Sequence, residues 1–414
     1  MKKSNQPGVL MLIHNFRPGP TGGAEIQAER LARSLLQRGH SVRILTNPIT
    51  YISEWFDFGG NIPDAPEEEF FFGTVEQRPS EALDESNYED NSSSRGLIHR
   101  PNFHLAYDIY GGIIETYKYL VRHRKNYDIL HCHMAYGHAV VAIVAGKILR
   151  KPSIIKIACA GEFGEFANLS TFKGFNAALH VLHHADAMIA ISSEVEAELL
   201  SNGFSPKRIV KIPNGVDTNY FKPANERIEN NKVQFLLVGR RQPQKGVDIL
   251  IRAAKILKND GFGEQFEIQL CGADHEEYDY QSMANKLGVT QQLSFLPFQN
   301  DMRKFYHSVD CFLLPSRGEG LSNALLEAMS SGLPAIATRI SGNPDVITHE
   351  KDGLLIPTES PQDLAEAMKR IILEPELRKQ LGENANKRIL EAYSIDYISE
   401  QYSELYRRLT RKIR

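Results

Sequence analysis

The strongest constraint on the fold is an alternation. Short apolar runs of strand length are followed by longer stretches whose apolar residues recur at helical spacing. Runs at 9–13, 41–46, 129–133, 153–158, 187–192 and 208–213 read as strands, with helices expected at 24–37, 135–149 and 175–185. After Pro223 the pattern restarts, with strands at 233–238, 266–271, 293–298, 311–315, 334–338 and 353–357. Helices are expected there at 247–259, 278–287, 321–331 and 361–373. Strands joined through helices pair in parallel, with both sheet faces covered. The expected class is therefore α/β, built as two Rossmann-like doubly wound parallel-sheet domains facing across a cleft. A chain of 414 residues suits two such domains. The connection 214–231 is rich in Asn, Pro and charge, which places the boundary there and gives domains 1–218 and 219–392. Ligands bind beyond the carboxyl ends of the strands in this architecture.

Composition narrows the function. A formal net charge of −3 argues against a broad nucleic-acid surface. The four cysteines (Cys132, Cys159, Cys271 and Cys311) lie in or beside apolar runs without metal-finger spacing, so they read as buried thiols in a reducing cytoplasm. The apolar run 9–13 is too short for a signal-peptide core, and 139–149 is broken by Lys147. The expected location is cytoplasmic, with any membrane contact peripheral. A basic patch at 117–125 (Lys118, Arg122, His123, Arg124 and Lys125) reads either as a solvated helix end or as a dock for anionic lipid at the inner membrane face. The acidic segment 54–100 lacks clear periodicity and reads as a mobile insertion near the cleft or as a surface loop. The tail 393–414 is helical in pattern and ends in basic residues, which suit a helix C-terminus.

Three loops carry candidate chemistry. The richest runs from Pro315 to Glu327, where a strand ends, a glycine-containing loop follows and a helix begins near Leu321. The first N–H groups of such a helix suit a phosphate, here the backbone of Gly320, Leu321 and Ser322. Glu319 in the loop can accept sugar hydroxyl hydrogens, and Glu327, two turns into the helix, suits the hydroxyl pair of a ribose. The alternative is a plain strand-loop-helix unit with solvated glutamates. The second loop, 239–246, follows the first strand of the second half; Arg240 and Lys245 can converge there on a diphosphate. Its plain alternative is a basic surface loop. The third, Gly22-Gly23 after the first strand, permits close backbone approach from the facing half, or is simply a tight βα turn. His131 and His133 flank Cys132 at a strand end and should face one side; His133 is a cleft candidate or a packed histidine. No acidic or cysteine partner stands at metal-ligand spacing, and no Asp-x-Asp pair is present, so no metal is inferred.

Together these residues resemble glycosyltransferase family 4. Glu319 and Glu327 with seven residues between them, the preceding Pro315-Ser316, Arg240 with Lys245, the Gly22-Gly23 pair and the 212–217 stretch Ile-Pro-Asn-Gly-Val-Asp all match its pattern. The resemblance implies a GT-B fold, retention at the anomeric carbon, no metal and no other cofactor. It implies a UDP- or GDP-sugar donor and a saccharide or lipid-linked acceptor, in exopolysaccharide or lipopolysaccharide assembly. Carried over by position, Arg240 and Lys245 would neutralise the leaving diphosphate, Glu319 would bind the donor sugar and Glu327 the ribose. Gly23 would approach the phosphates, and the last helix would pack back on the first domain. One departure stands out: at 158–165, where many members carry a histidine, this chain reads Ala-Cys-Ala-Gly-Glu-Phe-Gly-Glu. Glu162 is the candidate sugar or acceptor contact there, and His133 an alternative source of the imidazole. Competing functions are a nucleotide-sugar epimerase, which needs no acceptor, a sugar phosphorylase, which needs phosphate and no nucleotide, and a non-catalytic carbohydrate-binding protein without turnover.

Overall fold

The structure, a computed structural model, describes residues 6–13, 22–46, 68–72, 96–100, 109–171, 173–225, 231–275, 277–299 and 301–412. Its first sheet contains β1 (Val9–Ile13), β2 (Val42–Thr46), β3 (Glu68–Phe72), β4 (Gly96–Arg100), β5 (Ile129–His133), β6 (Ser153–Ile157), β7 (Ala187–Ala190) and β8 (Ile209–Lys211). Their order is β3-β4-β2-β1-β5-β6-β7-β8, parallel apart from β3 against β4. Around it stand α1 (Gly23–Gln37), α2 (Ile109–Arg122), α3 (Gly137–Leu149), α4 (Glu165–Ser170), α5 (Phe175–Leu182) and α6 (Ser193–Ser201).

The second sheet is wholly parallel, in the order β11-β10-β9-β12-β13-β14. Its strands are β9 (Val233–Val238), β10 (Phe266–Cys271), β11 (Leu293–Leu296), β12 (Cys311–Leu314), β13 (Ala335–Thr338) and β14 (Leu354–Ile356). Its helices are α7 (Val247–Leu257), α8 (Tyr280–Leu287), α9 (Arg303–Ser308), α10 (Asn323–Ser330), α11 (Asn343–Val346), α12 (Pro361–Leu373) and α13 (Pro375–Ala392). The chain ends in α14 (Ile395–Arg411).

The local reasons are those of buried parallel sheets. All five residues of β1 are buried, and α1 turns Ala28, Leu31, Ala32 and Leu35 onto the sheet at helical spacing. The last helix, α14, returns to this domain and buries Ile398, Tyr402, Leu405, Tyr406 and Leu409. Ser34 and Ser399 share a hydrogen bond of 2.7 Å, and Arg38 pairs with Glu400. The expectation for 54–100 needs one correction. Two pieces of that segment, β3 and β4, are strands that extend the sheet beyond β2; pairing there satisfies backbone groups that an open edge would leave bare. The rest of that segment lies outside the described residues.

In both sheets the strand order reverses at one point, between β1 and β5 in the first and between β9 and β12 in the second. Loops leaving the carboxyl ends of such strands diverge to opposite faces, and a crevice opens between them. The three candidate loops sit at these two places.

Candidate active site

The second domain's crevice is assembled by two βα loops. Gly246 holds φ +66°, and a Cβ there would sit 2.0 Å from the Pro315 carbonyl oxygen. Only glycine allows that approach, which locks the 239–246 loop against the loop after β12. The loops are then laced together. The Arg317 N–H donates to the Gln244 carbonyl at 2.8 Å, and Gln244 Nε2 donates to the Gly318 carbonyl at 3.0 Å. The Arg317 guanidinium grips both carboxylate oxygens of Asp248 at 2.8 Å, which holds that carboxyl below its ordinary range despite its burial.

This lacing brings Lys245 to Glu319. Their Nζ and Oε1 lie 2.6 Å apart, and Ser316 Oγ donates to the same oxygen at 2.8 Å. The Glu319 N–H points at Ser341 Oγ, 3.4 Å away. Lys245 and Glu319 are both largely shielded from water, where a charge-assisted contact is stronger than on an open surface. Arg240 differs from its neighbour Arg241. The latter is buried, paired with Asp274 at 2.6 Å, and donates to the Leu270 and Leu296 carbonyls, so it holds the sheet. Arg240 is exposed and, among the described residues, forms no ion pair; its charge acts on Glu25 of α1.

The helix after this loop starts later than expected. Asn323 is its first residue and Ser322 its N-cap, with Ser322 Oγ accepting the Leu325 N–H at 3.3 Å. Gly320, Leu321 and Ser322 therefore form the loop's final turn. A Cβ on Gly320 would fall 1.7 Å from the Ala158 carbonyl oxygen, so the two domains touch at this residue. The Leu321 carbonyl accepts from Asn214 Nδ2 at 3.0 Å.

Glu327 is buried at the domain junction. It accepts from the Tyr306 hydroxyl at 2.9 Å and pairs with Arg30 of α1, whose guanidinium also lies over the Phe221 ring. Gly23 meets the same helix start: its carbonyl accepts from Asn323 Nδ2 at 3.0 Å, while Asn323 Oδ1 accepts from Gln27 at 2.8 Å. Gly22 caps α1, its N–H bound to Glu25 at 2.8 Å.

The 158–165 stretch forms the first domain's lip. Glu162 is exposed on a short turn. Glu165 is the buried carboxylate, accepting the Ala158 N–H at 2.7 Å and the Cys159 N–H at 3.0 Å. Burial pushes it up to about 7 against those two bonds. The Phe163 ring covers Gly318, where a Cβ would meet it at 2.2 Å. His133 is not in the open cleft; it is buried at the end of β5 beside His131.

Arg30, Gln27, Tyr306 and Ser341 carry contacts that no motif announced. Ser316 and Glu165 stand inside stretches that drew attention. Arg30 lies almost three hundred positions from Glu327, and no local pattern marks such a pair. Among the described residues no three His, Cys, Asp or Glu side chains are grouped to hold a metal ion, and no helix is long and apolar enough to cross a membrane.

The chain is similar to known proteins in sequence and in fold. The family model for glycosyl transferases group 1 matches residues 220–388, and that for Glycosyltransferase Family 4 matches residues 21–220. An uncharacterized glycosyltransferase of Methanocaldococcus jannaschii is 26% identical over 96% of this chain and 97% of its own length. An Escherichia coli enzyme named UDP-Gal:alpha-D-GlcNAc-diphosphoundecaprenol alpha-1,3-galactosyltransferase is 27% identical over 71% of this chain and 78% of its own. The crystal structure of Anabaena HepE in complex with UDP and glucose superposes with a TM-score of 0.72 at 19% identity, covering 96% of this chain and 99% of that one. The fold is the two-domain GT-B architecture.

Proposed function

This chain belongs to the glycosyltransferases that these two family models describe, and we propose that it is a retaining, metal-independent hexosyltransferase using a UDP- or GDP-sugar. The observation that carries this reading is the Lys245–Glu319 contact of 2.6 Å at the crevice between β9 and β12, with Arg240 exposed beside it. Two cations and a carboxylate are held where a sugar diphosphate would lie across the strand ends.

Cleavage of the bond from the anomeric carbon to the diphosphate oxygen sends its electron pair to phosphate. Lys245, held in advance by Glu319, and the exposed Arg240 stand near that developing charge, so they stabilise the transition state more than the ground state. Their two positive charges supply what a bridging metal ion would otherwise supply. Glu319 accepts hydroxyl hydrogens of the sugar and keeps Lys245 in place. The acceptor hydroxyl forms the new bond on the face the diphosphate leaves, and its proton passes to a phosphate oxygen. Gly320 against Ala158 lets the domains meet closely, which excludes water and suppresses hydrolysis. The Glu327–Arg30 pair stands at the same junction, so ribose contact at Glu327 would be linked to closure.

The acceptor in this reading is a saccharide or a lipid-linked saccharide, in polysaccharide or lipopolysaccharide assembly at the inner membrane face. The name of the Escherichia coli relative supports that setting and a UDP donor. The test is a thermal-shift and donor-hydrolysis screen across UDP- and GDP-sugars, with and without EDTA. Stabilisation by one nucleotide family and EDTA-insensitive turnover are expected. Turnover that needs inorganic phosphate, or that interconverts the donor without an acceptor, would replace this reading with a phosphorylase or an epimerase.

A further inference from the structure

The first domain gathers basic side chains where, among the described residues, no acid meets them. His131 and His133 project from the same face of β5, their rings stacked at 4.5 Å. Lys156 of β6 stands in register with His133 and therefore on that same face. All three are buried, His133 to 1% exposure and Lys156 to 5%. Their polar atoms are largely unused. Both ring nitrogens of His133, His131 Nε2 and the Tyr402 hydroxyl have no hydrogen-bond partner among the described residues. Only His131 Nδ1 is engaged, with the Tyr406 hydroxyl at 2.8 Å. The groups around the pair are like-charged or neutral: Lys156, His138, Tyr402 and Tyr406. Burial drives Lys156 down to about 7, and burial with the Lys156 charge drives His131 down to about 3.

Buried basic groups are ordinarily paired, because desolvation without a counter-charge is costly. Here the pairing is missing at a place suited to a ligand. β5 borders the point where the strand order reverses, and His133 is its last residue. The chain leaves it through Met134 at φ +77°, a left-handed conformation costly for a residue with a side chain, whose N–H is tied to the Lys156 carbonyl at 2.9 Å. Lys156 also stands two residues before Ala158, whose carbonyl meets Gly320 of the donor loop. Two strand residues span roughly 7 Å. An anion at Lys156 would thus lie close to the reacting sugar.

We propose that Lys156 and His133 form a buried oxyanion site beneath the first-domain wall of the cleft, taking a phosphate or carboxylate group of the acceptor, with His131 and the Tyr402 hydroxyl as backing donors. Naming the acceptor as carrier of the group rests on the transferase reading; the anion site does not.

The test is a thermal-shift titration of the full chain saturated with UDP, so that the donor loop is filled. Sodium phosphate and sodium malonate are compared with sodium chloride at matched ionic strength. Wild type is expected to gain stability saturably at millimolar phosphate or malonate. Lys156→Met removes the charge without leaving a cavity, and is expected to weaken that response at least tenfold while the shift caused by UDP stays unchanged. His133→Gln serves as the second variant, with the same expectation. A stronger phosphate response assigns a phosphate ester, and a stronger malonate response assigns a carboxylate. An equal anion response in wild type and both variants, or none beyond chloride in wild type, overturns the site and leaves a cluster that holds only water. Absence of a UDP shift is the separate failure of the donor reading, and the anion titration in a Lys245→Ala background then reads the site by itself.

Discussion

The two walls of the cleft handle charge in opposite ways. On the second domain three cations have a partner of opposite sign, Lys245 with Glu319, Arg317 with Asp248 and Glu359, and Arg241 with Asp274, while Arg240 stands exposed beside them. On the first domain His131, His133 and Lys156 are packed against one another, with no acid in contact among the described residues. The paired charges tie the donor loops to one another, so those loops keep one shape. The facing wall holds basic groups that burial keeps from their protons. That contrast divides the labour: a rigid cradle for a diphosphate, and a wall whose charge balance awaits a partner.

The largest expected effect tests the donor wall. Lys245→Ala should lower kcat/KM by about 10²–10³, the scale of losing one preorganised electrostatic contact. Steady-state kinetics with the active donor measures this, and a variant within threefold of wild type would remove Lys245 from the chemistry. Next comes the contact between the walls. Gly320→Ala places a Cβ where the Ala158 carbonyl now lies, so the lip must move by an ångström or more. Transfer should fall by about 10², the scale of such a misplacement, while UDP still raises the melting temperature. Unchanged transfer would show that the domains react without this contact.

A third prediction concerns the facing wall alone. Lys156 has a folded-state pKa of about 7, below its ordinary value of 10.5. Between those values the unfolded chain binds the proton and the folded chain does not, so this group makes stability rise with pH over that window. Lys156→Met should be more stable than wild type at pH 7, by on the order of 4 kcal/mol, with the gap closing towards pH 10. Urea unfolding at several pH values reads this, and a pH-independent gap would mean that Lys156 keeps its proton through a partner. The smallest effect is at the junction. Tyr306→Phe deletes a bond to the Glu327 carboxylate and should cost about 1.5 kcal/mol in unfolding free energy, with kcat within a few-fold of wild type. A loss above tenfold in kcat would move Tyr306 from the junction into the reaction.

The two walls also differ in how far they were legible. The donor loops are strand-loop-helix units, and each writes its chemistry within about ten residues. Arg240, Lys245, Glu319 and Glu327 could therefore be singled out from spacing, and the strands at 9–13, 129–133, 233–238 and 266–271 have the expected bounds. The first-domain wall was read less well. Glu162 drew attention in the Gly-Glu-Phe-Gly-Glu stretch, yet Glu165 is the buried carboxylate that ties down Ala158 and Cys159. Strands β3 and β4 were hidden in an acidic segment, because edge pairing depends on the open side of β2 rather than on local apolar alternation.

What the sequence determined by itself was the alternation of strands and helices, the division into two halves and the pairs of residues that one loop can present. These follow from steric and hydrophobic preferences acting over a turn or two of chain. The tertiary structure alone decided which distant groups meet: Arg30 with Glu327, Asn323 with Gly23, Ala158 with Gly320, and Lys156 with His133 under Tyr402. The alternation pattern sets each side chain's face, while strand order and domain contact set what that face touches. No local preference encodes strand order, because it arises only when the whole hydrophobic surface is buried at once.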